Sequence, residues 1–328
     1  MSAKAFICGV AGARLTAAEQ DFLQREQPYG VILFARNCHE PAQLRTLICE
    51  IRSLLTHPFA SILIDQEGGR VARLKPPHWR RYPPARFFKT PDAVRLNARV
   101  MAAELTALGI TTDCAPLADI PTPGSHDIIG DRAFGQTAEE VTPLARAQAD
   151  GLMAGGILPV LKHIPGHGRA MADSHYELPV VDAPLELLER TDFAPFRALR
   201  DLPLGMTAHI RYTALDGAHC ATHSPVVIRY IRQKIGFDGL LMSDDLSMKA
   251  LTGTYAARTQ ATLNSGCDLV LHCNGVMAEM AEIAAHTPAL EGDSLRRATS
   301  ATRALPLIQT LSVTELQEWE NLCLNTEV

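Results

Sequence analysis

Ile157-Leu158-Pro159-Val160-Leu161 runs straight into Lys162-His163-Ile164-Pro165-Gly166-His167-Gly168, and Asp173-Ser174-His175 follows shortly after. The first five residues form an apolar run of strand length. The rest packs three histidines, a lysine and a carboxylate into fourteen residues, among glycines and a proline that forbid a regular helix. This pattern reads as a buried strand that ends in a loop. So many ionisable groups, so close together, exceed what a loop needs in order to connect two elements, and they mark it as functional.

Seven further runs resemble Leu158–Lys162 in length and apolar content. They are Ala5–Val10, Gly30–Ala35, Ser61–Ile64, Thr111–Leu117, Leu204–Ala208, Leu240–Met242 and Asp268–His272. Between and after them, segments near residues 16–26, 41–55, 93–108, 138–154, 185–200, 225–235, 254–265 and 276–286 repeat apolar residues at helical spacing. Eight strand-helix units predict an α/β fold of the TIM-type (β/α)8 barrel class rather than an open doubly wound sheet. A barrel takes roughly 250 residues. The surplus falls in long strand-to-helix connections (66–92, 118–137 and 163–184) and in a C-terminal tail with an amphipathic helix at 314–325. No repeat, linker or low-complexity tract divides the chain. The expectation is one catalytic domain, 1–328, with 290–328 as a helical extension packed on the barrel.

Composition narrows the function classes. The 328 residues are 47% hydrophobic and 20% charged, with a net charge of −5. The cations are scattered, which leaves no basic stripe for a phosphate backbone and argues against nucleic acid. The eight cysteines form no CxxC pair and no metal-ligand spacing, and several lie in apolar runs such as Phe6-Ile7-Cys8. Buried free thiols in a reducing compartment are expected. With no basic leader, and no apolar run near the eighteen residues of a membrane helix, a cytoplasmic protein without membrane contact is expected.

In a barrel, side chains just past the C-terminal strand ends converge on one mouth. Strand three contributes Asp65, then Gln66-Glu67-Gly68-Gly69-Arg70 and Arg73. Strand four contributes Asp119, and its loop Asp131 and Arg132. Strand five gives Lys162 and His163, strand six His209, strand seven Ser243-Asp244-Asp245 and strand eight His272-Cys273-Asn274. Each alone has a structural explanation: Ser243-Asp244-Asp245-Leu246 reads equally as a helix N-cap, and His209 and His272 as core histidines. Convergence from four strands favours a site.

These motifs resemble one family. Lys162 to Gly168, Asp173-Ser174-His175, Ile64 to Arg73, Gly130-Asp131-Arg132-Ala133-Phe134 and Ser243-Asp244-Asp245-Leu246-Ser247-Met248 are similar, in order, to the β-N-acetylhexosaminidases of glycoside hydrolase family 3. The compact single-domain form of peptidoglycan recycling is the nearest type. The resemblance implies a retaining exo-β-N-acetylglucosaminidase that releases terminal N-acetylglucosamine from muropeptides through a covalent glycosyl-aspartate. It further implies Asp244 as nucleophile, His175 as general acid/base paired with Asp173, and Asp65, Arg73, Arg132, Lys162 and His163 as sugar-binding residues. No metal, cofactor or obligate protein partner is implied. Ile164 stands where the family usually has Phe, and Arg70 and His167 receive no contact.

The chemistry is coherent without the family. A retaining glycosidase needs an ionised nucleophile and a proton donor about 5 Å apart. Histidine, with its ordinary pKa of about 6.5, suits a group that both gives and takes a proton, and Asp173 can orient its ring. Three readings compete. Phosphorolysis is one, since a histidine repels phosphate less than a carboxylate does. A metal-dependent barrel hydrolase built on His163, His167, His175, Asp173 and His209 is another, although Pro165 and Gly166 remove the helical geometry such a pair needs. The third, a non-enzymatic sugar-binding barrel, has no use for Asp244 or the Asp173-His175 pair.

Overall fold

The computed structural model describes residues 2–124, 127–171, 174 and 176–324, so Asp173 and His175 lie outside the described residues. Eight parallel strands close into a barrel: β1 (Lys4–Cys8), β2 (Pro28–Leu33), β3 (Ser61–Ile64), β4 (Thr112–Asp113), β5 (Leu158–Ile164), β6 (Leu204–Thr207), β7 (Leu240–Asp245) and β8 (Leu269–His272). Each strand pairs with the next in the chain, and β8 closes on β1 with Phe6 opposite Val270. Helices over Ala17–Glu26, Pro41–Leu54, Pro91–Leu108, Ala138–Ala154, Tyr255–Ser265 and Met277–Ala285 occupy expected connections.

Side-chain alternation along the strands divides the core in two. Ile7, Ile32, Leu63, Cys114, Leu158, Val160, Leu204, Met206, Leu240, Met242, Leu269 and Leu271 share one buried cluster. Their neighbours Phe6, Cys8, Val31, Leu33, Ile62, Ile64 and Val270 belong to a second, packed with helix residues such as Leu44, Ile48 and Met101. A period of two therefore fills the barrel with one set and faces the helices with the other. Extended by one step, the same period aims Asp65 after Leu63, Lys162 after Val160 and Asp244 after Met242 toward the barrel axis.

The structure revises several expected boundaries. β4 spans only Thr112–Asp113 instead of Thr111–Leu117. Pro116 has no N–H for a regular ladder, yet the segment stays against β5: Val160 N–H donates to Ala115 O, Lys162 N–H to Pro116 O and Ala118 N–H to Lys162 O. β5 and β7 run further than expected, to Ile164 and Asp245. Asp244 thus sits within a strand rather than at a helix N-cap. The segment 185–200 divides into two short helices, Leu185–Arg190 and Ala194–Ala198, because Pro195 cannot donate to Thr191. A two-stranded pairing of Val180–Val181 with Arg211–Tyr212 was not expected. Six of the eight thiols are buried, but Cys49 is exposed and Cys323 half-buried. No helix among the described residues is long and apolar enough to cross a membrane.

After β8 the chain forms helices Gly292–Arg303 and Val313–Leu324. Trp319 buries its ring against Tyr82, with centroids 5.5 Å apart, and donates its indole N–H to Asn97 Oδ1 at 2.8 Å. Arg99 and Glu315 pair at 2.7 Å beside it. Trp319→Ala removes a large buried ring and leaves Asn97 unpaired, so it is expected to cost about 3–5 kcal/mol of unfolding free energy. Urea unfolding checks this; a loss below about 1 kcal/mol would show that the terminal helix does not share the barrel's cooperative unfolding.

Candidate active site

The C-terminal mouth of the barrel holds a cavity of about 270 Å3 lined by Asp65, Arg73, Arg132, Lys162, His163 and Asp244. All six arrive from the strand ends and loops that the sequence analysis singled out. Lys162 is buried, and its Nζ lies 2.9 Å from Asp65 Oδ1 and 2.6 Å from Glu67 Oε1. Asp65 also pairs with Arg73 at 3.0 Å, and the Arg73 guanidinium lies over the Phe34 ring, 4.8 Å from its centroid. Glu67 holds Arg132 through two parallel bonds, Nε to Oε2 and Nη2 to Oε1, both 2.8 Å.

This network sets its own charge states. Burial alone would raise the Glu67 carboxyl, but Arg132 and Lys162 outweigh burial and hold it well below the usual range. Asp65 is depressed in the same way by Lys162 and Arg73. Burial would neutralise Lys162, yet Asp65 and Glu67 keep its pKa above that of a free lysine. Beneath them Asp113 is the opposite case. Burial dominates there and raises its carboxyl well above the usual range, although it accepts the Gln66 amide at 2.9 Å.

A second group forms the facing wall. Asp119, fully buried, accepts His163 Nδ1 at 2.7 Å and the backbone amides of His163 at 3.3 Å and His167 at 2.6 Å. Because the aspartate only accepts, His163 Nδ1 carries a hydrogen. Gly168 comes so near Ile120 that a Cβ would lie 2.0 Å from the Ile120 carbonyl oxygen, so only glycine lets the β5 loop lie against the β4 loop. Burial, followed by the neighbouring His163, pushes His167 down to about 4, which leaves it neutral at physiological pH. Two buried atoms at the cavity, Arg73 Nε and His167 Nδ1, have no hydrogen-bond partner among the described residues. A hydroxyl-rich ligand supplies the partners such atoms need.

Asp244 stands between the two walls. Burial would raise its carboxyl, but the neighbouring His163 and the Asp245 amide, 2.8 Å from Asp244 Oδ1, outweigh burial and keep it low. Asp244 is thus an ionised carboxylate on a rigid strand, beside a pocket of hydroxyl-binding groups. That combination suits nucleophilic attack at a sugar's anomeric carbon.

Residues 5–305 match the glycosyl hydrolase family 3 N terminal domain. The chain belongs to glycosyl hydrolase family 3. It is 39% identical over 322 residues to a beta-hexosaminidase of Methylococcus capsulatus, covering 94% of this chain and 95% of that one. A beta-hexosaminidase of Chromobacterium violaceum is 40% identical over 292 residues, covering 85% and 81%. The crystal structure of NagZ from Neisseria gonorrhoeae superposes with a TM-score of 0.86 at 31% identity, covering 98% of this chain and 97% of that one; NagZ has also been solved with N-trifluoroacetyl-D-glucosamine. The chain is therefore a glycoside hydrolase of the β-N-acetylhexosaminidase group, with the TIM-type barrel of its relatives.

Within this family 3 site the structure also separates neighbours in the sequence. Arg70, three residues before Arg73, turns away and pairs at the surface with Asp127 at 3.4 Å and Asp131 at 3.2 Å. His209 has both ring nitrogens occupied, by Thr222 Oγ1 at 2.7 Å and Asp245 O at 3.1 Å, and so has no nitrogen to offer a metal. Ser174 is buried on the cavity wall, with its hydroxyl 3.4 Å from His167 Nε2. Sequence reasoning gave no role to Glu67, although its spacing of two from Asp65 was the available signal. Glu67→Gln removes the anion that Lys162 and Arg132 share and is expected to cost about 3–5 kcal/mol. The depressed Glu67 carboxyl adds stability that is complete above its unfolded pKa, about 4.3, and is lost as pH falls through its folded value. The variant should therefore show a shallower loss of stability on acidification below about pH 4, read by denaturant melts across pH. An unchanged slope would remove Glu67 from the network's energetics.

Proposed function

We propose that this chain is a retaining exo-β-N-acetylglucosaminidase that releases terminal N-acetylglucosamine from peptidoglycan-derived muropeptides in the cytoplasm, working as one catalytic domain. The observation that carries the proposal is Asp244, ionised and buried at the end of β7, in a cavity also lined by Asp65, Arg73, Arg132 and Lys162, which are held by ion pairs with one another or with Glu67. In this reading Asp244 attacks the anomeric carbon and forms a glycosyl ester. Asp65 accepts from sugar hydroxyls, while Arg73, Arg132, Lys162 and His163 donate to them or hold those that do. His175 donates the proton to the leaving oxygen, then removes one from the water that hydrolyses the ester, and Asp173 orients its ring. The two residues lie outside the described part of the chain, and their roles rest on the motif Asp173-Ser174-His175. The beta-hexosaminidase and NagZ relatives, one of them solved with an N-acylated glucosamine, support the choice of sugar.

Three measurements test the reading. Asp244→Ala is expected to lower turnover by about 10⁴-fold or more and to abolish trapping by a fluorinated N-acetylglucosaminide analogue, whereas Asp245→Asn retains labelling; a label on Asp245 would reverse the assignment. His175→Ala should slow glycosylation least for activated aryl leaving groups and most for sugar leaving groups, since the former need no proton. Equal losses across the series would show that His175 is not the acid. Products formed from a chromogenic N-acetylglucosaminide with phosphate present should be free sugar; a sugar 1-phosphate would point to phosphorolysis instead.

A further inference from the structure

His209 is fully buried behind the nucleophile and does not line the cavity. Its Nε2 lies 3.1 Å from the main-chain oxygen of Asp245, and its Nδ1 lies 2.7 Å from Thr222 Oγ1. Thr222 Oγ1 in turn lies 2.8 Å from Thr207 Oγ1, and all three side chains are excluded from water.

We propose that His209 is a positioning residue for the nucleophile, acting through the main chain of Asp245, with its ring locked in one tautomer by the hydroxyls of Thr222 and Thr207. The proposal rests on the reading of Asp244 as nucleophile. A carbonyl oxygen can only accept, so the bond to Asp245 requires the hydrogen on Nε2. In a neutral ring Nδ1 is then bare and must accept. Thr222 is the donor to it: its hydroxyl is 2.7 Å from Nδ1 but 3.3 Å from its other acceptor, the Ala208 carbonyl. With that hydrogen committed, Thr222 Oγ1 receives the Thr207 hydroxyl. The relay runs one way, from Thr207 to Thr222 to His209 to Asp245 O. Burial lowers the pKa of His209 and keeps the ring neutral, as the relay requires.

The end of the relay reaches the nucleophile. The Asp245 N–H donates to Asp244 Oδ1 at 2.8 Å, and the Asp245 carboxylate is fixed by the Ser247 amide at 3.0 Å and the Cys273 amide at 3.2 Å. His209 holds the carbonyl of the same residue. Asp245 is thus clamped at its oxygen, at its side chain and, through its amide, to the attacking carboxylate. A carboxylate held by one amide hydrogen keeps one oxygen occupied and presents the other. The orientation of that amide therefore bears on the attack trajectory, where displacements of about 1 Å cost on the order of a hundredfold in rate. The Asp245 carbonyl also accepts the Met248 amide at 3.1 Å, a bond within the turn after β7; His209 holds the same oxygen from the β6 side, two residues beyond Thr207 where β6 ends.

The test uses the full-length chain. His209→Gln keeps an N–H near the Nε2 position, and His209→Leu removes it with similar volume. In single-turnover experiments with an activated aryl N-acetylglucosaminide, His209→Leu is expected to lower the glycosylation rate by about ten- to a hundredfold, with KM little changed. His209→Gln should recover most of that loss, and Thr222→Val should reproduce part of it. Independently of activity, 15N spectra of the wild type should show His209 protonated on Nε2 and bare at Nδ1. A protonated Nδ1, a wild-type rate in a folded His209→Leu, or a His209→Gln as slow as His209→Leu would each overturn the proposal. If His209→Leu does not fold, the tautomer and Thr222→Val still decide. Labelling of wild-type protein at a residue other than Asp244 would instead sink the functional reading, and the tautomer measurement would still report on the relay.

Discussion

A buried ammonium holds this site together. Taking Lys162 out of water costs several kcal/mol even after the protein relaxes, and a lone lysine so placed would lose its proton. Asp65 and Glu67 at 2.9 and 2.6 Å prevent that, but each carboxylate needs further partners, which Arg73 and Arg132 supply. The three cations and two anions form a closed arrangement, with one positive charge in excess, in which every member depends on another. Because Lys162 belongs to β5, Asp65 and Glu67 follow β3, and Arg132 comes from the β4 loop, the arrangement also ties three parts of the barrel mouth together.

That rigidity matters for chemistry. Groups meant to recognise hydroxyls at defined positions gain from being oriented before the ligand arrives, since no reorganisation is then needed during reaction. The wall built on Asp119 follows the same rule: one buried carboxylate collects a ring nitrogen and two amides from β5 and the loop after it and thereby sets the position of the His163 ring. Asp244 lies where these restraints meet. Its low proton affinity is a property of the assembly, because burial by itself would push it the other way.

Much of this was legible in the chain. Eight apolar runs separated by helical periods led to the closed barrel, and the period of two along each run is enough to place Asp65, Lys162 and Asp244 at one mouth. The family motifs named the same residues. Boundaries were less legible. Pro116 and Pro195 act on the ladder and the helix through a missing N–H, and how far each interruption spreads depends on neighbours that sequence does not reveal. Thus β4 shrank to two residues while the chain beyond it still followed β5.

Residue type and spacing determined the fold class, the strand-end positions of the polar residues and the chemical repertoire, because these follow from local periodicity and side-chain chemistry. Pairings were decided only by the tertiary structure. Nothing in the order of residues says that Glu67 bridges Lys162 and Arg132, that Arg70 turns outward while Arg73 turns in, that Asp113 is pushed toward its neutral form while Asp119 is ionised, or that His209 is bonded at both nitrogens. Each depends on which groups approach from elsewhere in the chain, Asp65 lying 8 residues from Arg73 but 97 from Lys162, and on how much water is excluded where they meet.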